Sequence, residues 1–90
     1  MTTKSLKDKV KEALTEAVGE DAHIQLDEVP GDRIEGVVLS RSFANQSVAE
    51  RQDHIGKHLD TRLSPSERSR IVFILTDTPE EFEALRTGPG

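Results

Sequence analysis

The chain has 90 residues, 33% of them apolar and 32% charged, with Phe43, Phe73 and Phe82 as its only aromatics. This fits one small domain over residues 1–90 with a modest core and no room for a deep, sequestered active site. Seventeen acidic residues against twelve basic ones give a net charge of −5, whose mean field repels nucleic acid and anionic membrane. The absence of cysteine excludes disulfides, thiolate metal sites, thiol nucleophiles and a cysteine-ligated iron–sulfur cluster of the chain's own; with Ile71 to Leu75 as the longest apolar run, a soluble cytoplasmic protein is expected.

Leu6, Val10, Ala13, Leu14, Ala17 and Val18 recur at spacings of three and four and define one face of a first helix. Ser5, with Asp8 three residues later, is its predicted cap, Thr3 is the other candidate, and Gly19 suits its end. From Ala22 to Glu28 the period changes to two. Ala22, Ile24 and Leu26 face one way and His23, Gln25 and Asp27 the other, which predicts a half-buried strand with His23 exposed. Pro30-Gly31 at the centre of Val29 to Asp32 predicts a type II turn, and Ile34 to Ser40 is the return strand, with Gly36 a bulge or a point of close backbone approach.

After a loop from Arg41 to Gln46, Ser47 and Glu50 form a capping box for a longer helix with Val48, Ile55, Leu59 and Leu63 as its buried stripe. Gly56 weakens that helix by about 1 kcal/mol unless something packs against it. Ser64-Pro65-Ser66-Glu67 starts a short helix by the same logic. Arg70 to Thr76 contains the unbroken run IVFIL and reads as a strand covered on both faces or paired centrally. Thr78-Pro79-Glu80-Glu81 opens a last helix with Phe82 and Leu85, ahead of a frayed tail, Thr87 to Gly90. The order is α-β-β-α-(α)-β-α. The first two strands are expected to be antiparallel, and the third to lie parallel to the second across the helical crossover. The predicted fold is a two-layer α/β (α+β) sandwich, a three-stranded mixed sheet with helices on one side and type II KH-like topology.

Two segments carry a family resemblance. Ser42 to Arg51, continuing through His54 to Leu63, resembles the BolA family's succession of strand end, Phe, small-residue loop, Ser cap, apolar residues and Arg. Thr78-Pro79-Glu80-Glu81-Phe82 is similar to that family's closing helix start, and the resemblance spans roughly residues 4 to 86. It implies a non-enzymatic partner of monothiol glutaredoxins in iron–sulfur handling, iron homeostasis and stress response, some members being DNA-binding regulators. The chain departs from the family pattern at two places. Where the family has a cluster-ligating histidine near the start of the last strand, this chain has Arg70, and a guanidinium does not ligate iron. The loop from Val29 to Arg33 contains neither His nor Cys. The expectation is no cofactor of the chain's own, an iron–sulfur cluster shared with a partner being what the family role would add.

His54 and His58 stand at i and i+4, with Glu50 one turn earlier, a spacing that suits a metal as well as a solvated helix face; no HExxH pattern or fourth ligand accompanies them, which favours the solvated face and no metal. Arg62, Arg68 and Arg70 are candidates for a cationic patch that binds phosphate or an acidic partner, although Asp53, Asp60 and Glu67 among them favour neutralised surface pairs. Leu63-Ser64-Pro65-Ser66 stands where a KH module needs Gly-x-x-Gly. The serines are explained as caps and turns, so no enzyme is expected. The partner-binding surface is assigned to Arg70, Arg51, Arg68, Arg62 and the loop holding Phe43, with a nucleic-acid-binding transcriptional regulator using the arginine patch as the alternative.

Overall fold

The computed structural model describes residues 4–86, so the alternative cap Thr3 and the tail from Thr87 to Gly90 lie outside the described residues. Helix α1 (Leu6–Val18) begins where Ser5 Oγ accepts the Asp8 N–H at 3.1 Å, and it ends where the Gly19 N–H returns to the Thr15 carbonyl at 2.8 Å. Its predicted stripe is buried through Val10, Ala13, Leu14 and Val18.

Strands β1 (His23–Val29) and β2 (Arg33–Leu39) pair antiparallel, with Leu26, Ile34 and Val38 turned inward and His23 exposed. Gly31 supplies the positive φ of 90° that a type II turn demands of its third residue. Asp32, at φ 56°, extends the loop to three residues, since Val29 pairs with Arg33. Of the two roles open to Gly36, close approach is the one realised. A Cβ there would lie 2.6 Å from the Gln25 carbonyl oxygen and 2.6 Å from Leu26 Cδ2.

Strand β3 (Ile71–Asp77) runs parallel to β2, and the sheet order is β1-β2-β3. This corrects the expectation that Arg70 to Thr76 is central or covered on both faces. β2 is the central strand, β3 is an edge, and Val72 and Phe73 are 51% and 55% exposed. The register shows the cause: Ile34 pairs with Ile71 but Glu35 with Phe73, so Val72 is an unmatched residue that breaks the alternation. Beyond it, Ile74 and Thr76 resume the inward phase.

Helix α2 (Val48–Arg62) starts with the full Ser47/Glu50 capping box and lies antiparallel to α1, with His54 beside Ala17 and Arg62 beside Glu12 and Glu16. Ile55, Leu59 and Leu63 join Val10, Leu14, Leu26, Ile34, Val38, Phe43 and Ile74 in the core, each full burial being worth about 1.5–3 kcal/mol. Val48, expected in the stripe, is 66% exposed. Because α1 ends level with His54, the first turn of α2 projects past it, and Val48 does not have α1 to pack against. The stripe instead begins at Arg51, which is 6% exposed. Across Gly56 lies the Arg68 guanidinium, 3.8 Å from where a Cβ would stand. Helix α3 (Pro65–Arg68) has a capping box between Ser64 and Glu67, and α4 (Pro79–Arg86) begins with reciprocal bonds between Thr78 and Glu81 of 2.8 and 3.1 Å. Among the described residues no helix is long and apolar enough to cross a membrane.

Candidate functional site

The residues nominated from the sequence lie in three places. At one end of the sheet, where β2 and β3 run out into helices, the loop after β2 makes a 3-10 turn (Arg41–Phe43) that drives Phe43 to complete burial. The Arg51 guanidinium sits 5.7 Å from the Phe43 ring centroid. Its Nε donates to the Gln46 carbonyl at 3.0 Å, its Nη1 to the Thr76 carbonyl at 3.0 Å and to Glu81 Oε1 at 2.8 Å, and its Nη2 to Glu81 Oε2 at 3.1 Å. A buried guanidinium is tolerated only when its donors are satisfied in this way. Asp77, whose Oδ2 is buried without a hydrogen-bond partner, adds further negative charge, and the Glu81 hydrogen bonds hold Arg51 above its ordinary pKa.

Glu81 is bound from two sides. The Arg51 hydrogen bonds, followed by the Thr78 backbone N–H, lower its pKa from 4.5 to about 2. Neighbouring Gln52 donates through Nε2 to the Ile74 carbonyl at 2.7 Å and to Thr76 Oγ1 at 3.3 Å. Arg51 thus ties α2, the loop before it, β3 and α4 together. Arg51 and Phe43 are interior residues, which corrects their assignment to a presented surface.

Along the α1–α2 seam, His54 Nε2 is 2.8 Å from the Ala17 carbonyl oxygen, and His58 Nδ1 lies 3.6 Å from Glu16 Oε1. Both rings turn to α1, edge to face at 5.4 Å, while Glu50 is held by the Ser47 backbone N–H and hydroxyl, which lower its pKa. The three groups are not brought to one metal position. Arg62 bridges Glu12 and Glu16, Arg68 Nε donates to Asp60 at 3.1 Å, and Lys57 meets Asp53 at 3.1 Å. Glu67 is held by Lys9 at 2.7 Å and capped onto the Ser64 N–H, in that order of effect, which lowers its pKa to about 2. The arginines of α2 and α3 are therefore paired side chains rather than a free cationic patch.

At the opposite end of the sheet, the β1–β2 turn, the start of α1 and the entry to β3 enclose a groove of about 190 Å³. Ser5, Leu6, Lys7, Glu28, Val29, Asp32, Arg33, Ile34 and Arg70 line it. Arg70 Nε donates to the Asp32 carbonyl at 2.7 Å and Arg33 Nε to the Pro30 carbonyl at 3.3 Å, so both guanidiniums grip the hairpin loop by one edge. A larger hollow, about 610 Å³, is an open trough along the polar flank of α1 bordered by Arg62; it also holds charges of both signs, but Lys4 and Arg62 there are already paired with Glu12 and Glu16. Of the sequence-nominated residues only Arg70 lies at the hairpin end. Arg33 and Lys7 were missed, because what joins them to Arg70 is the parallel pairing of β2 with β3 and the docking of α1, neither of which is local in sequence.

No protein-family model and no curated protein sequence matches the chain. Among solved structures it is similar to a Bol-like protein from Babesia bovis, with a TM-score of 0.58 and 18% identity over 94% of this chain and 96% of that one. That likeness, the mixed sheet in the order β1-β2-β3 and the four helices around it establish the architecture: the chain has the BolA-like fold.

Proposed function

We propose that this chain is a non-enzymatic, BolA-like interaction module that engages a protein partner through its hairpin end, the partner being a monothiol glutaredoxin in iron–sulfur or iron homeostasis. The observation that carries this reading is the groove formed by the β1–β2 turn, the start of α1 and Arg70. It is the place where a BolA-like chain would meet a cluster-bearing partner, and among the described residues its Lys7, Arg33 and Arg70 lack the carboxylate pairing that binds Arg51 into the fold. Its chemistry departs from the family's. Lys7, Arg33 and Arg70 supply cations and no sulfur or imidazole, so in this reading the chain contacts its partner without contributing a cluster ligand.

Titration of isotope-labelled chain with a cluster-loaded monothiol glutaredoxin tests the reading. Amide shifts confined to residues 5–7, 28–34 and 70 are expected, with the visible absorbance of the cluster retained. An unchanged spectrum at stoichiometric partner would overturn it.

A further inference from the structure

We propose that the hairpin-end groove is a carboxylate-docking site, in which the paired forks of Arg33 and Arg70, assisted by Lys7, take an acidic side chain of the partner that has a cationic neighbour. This deepens the reading of the hairpin end as an interaction surface and rests on it.

Charge pairing carries the inference. Arg41, Arg51, Arg62 and Arg68 each face a carboxylate within 4 Å, at Glu80, Glu81, Glu12 with Glu16, and Asp60. Among the described residues Arg33, Arg70 and Lys7 make no such pair, and all three line the same groove. Arg33 and Arg70 stand one step before the parallel partners Ile34 and Ile71, and the Ile34 N–H donates to the Arg70 carbonyl at 2.9 Å. The parallel register therefore brings the two arginines to neighbouring backbone positions at one end of the sheet, and among the described residues neither has a carboxylate within 4 Å to offset the like charge of the other. Each is fixed by Nε on a loop carbonyl, which leaves its terminal Nη1 and Nη2 groups unengaged and restrains the fork before any ligand arrives. A restrained guanidinium fork matches the two oxygens of a carboxylate.

The rim decides what kind of anion fits. Glu28 and Asp32 also line the groove, and neither has an ion-pair partner among the described residues. With three cations and two carboxylates in the lining, and a net charge of −5 on the whole chain, a polyanion such as nucleic acid is repelled at the rim. A single carboxylate flanked by Lys or Arg satisfies both signs.

The test is a titration of isotope-labelled chain, read at the Arg33 and Arg70 Nε–H signals and the amides of residues 5–7 and 28–34. Three probes are compared: the capped dipeptide acetyl-Glu-Lys-amide, its Gln-Lys counterpart and inorganic phosphate. The Glu peptide is expected to saturate these signals with a Kd on the order of millimolar, and the Gln peptide and phosphate to bind about tenfold more weakly. Arg70→Lys keeps the charge but loses the fork and should weaken the Glu peptide several-fold; the Arg33→Gln/Arg70→Gln double variant should abolish its shifts while its other amides stay in place. Equal response to the Gln peptide, tighter response to phosphate, or binding unchanged in Arg70→Lys would each overturn the proposal. The glutaredoxin titration separates the two claims. Undiminished partner binding by the double variant would sink the docking site and leave the hairpin-end reading standing, whereas peptide binding with a silent glutaredoxin would do the reverse.

Discussion

Arg51 and Arg70 are the same residue type in opposite circumstances. Each donates to a main-chain carbonyl of a neighbouring element, Thr76 for Arg51 and Asp32 for Arg70. Arg51 is 6% exposed and also holds a bidentate carboxylate and the Gln46 loop carbonyl, whereas Arg70 is half-buried and has no carboxylate partner among the described residues. The first is consumed by the fold. The second is steadied by it and left with donors to spare. In a chain this small the distinction between a structural and a recognising arginine lies in how many of its N–H groups are already committed, and the helix pattern around it gives no sign of that.

The sharpest way to break the comparison is to remove both side chains in turn. Arg51→Ala leaves the Gln46 and Thr76 carbonyls and the Glu81 carboxylate without their donor. It should cost about 2–4 kcal/mol, a fall in Tm on the order of 10–20 °C. Arg70→Gln should stay within about 0.5 kcal/mol of the parent in the same urea and thermal unfolding experiments. Equal losses at the two sites would dissolve the contrast.

Gly36→Ala, midway between the two ends, should cost about 1–3 kcal/mol, because the new methyl meets a backbone oxygen that cannot swing aside. A urea midpoint unchanged by that substitution would show that β1 and β2 are less closely apposed than described.

Acid acts through the groups that hold the fold. Glu81 and Glu67 have native pKa values of about 2 against an ordinary 4.5. Between those values the unfolded chain binds more protons than the native one, so their stabilisation is complete above pH 4.5 and drains away as pH falls toward 2. The urea midpoint should be level above about pH 5 and decline below it, and Glu81→Gln should flatten part of that decline. A midpoint in Glu81→Gln that falls as steeply as the parent's would place the acid sensitivity elsewhere. The smallest effect is expected at a helix start: Ser47→Ala removes the Oγ acceptor of the Glu50 N–H and should cost about 1 kcal/mol.

Much of this architecture was legible because its signals are local. Four helix starts announce themselves as a Ser or Thr followed three residues later by an acid, and the hairpin does so through Pro30-Gly31. The change of period after Gly19 separates α1 from β1 without ambiguity. The misreadings have one physical source. Val48 keeps helical phase with Ile55, but phase does not tell how far α1 extends beside α2. Val72 and Phe73 belong to an apolar run, but composition does not reveal a one-residue slip against β2 or a strand at the sheet's edge. For the same reason Arg51 reads as a surface residue and Arg33 as an unremarkable turn flank. Their environments are set by elements about 20–40 residues away, Thr76 and Glu81 for one and Arg70 for the other.

The donors that Arg51 and Gln52 place on the Thr76 and Ile74 carbonyls also limit how this sheet can assemble. Those carbonyls point away from β2, the direction from which an added strand would approach, and they are already occupied. With two β3 carbonyls covered in this way, β1 is the edge of this sheet without side-chain cover among the described residues. Open-ended stacking of sheet upon sheet needs two free edges in every copy, and α2 has covered part of one of them.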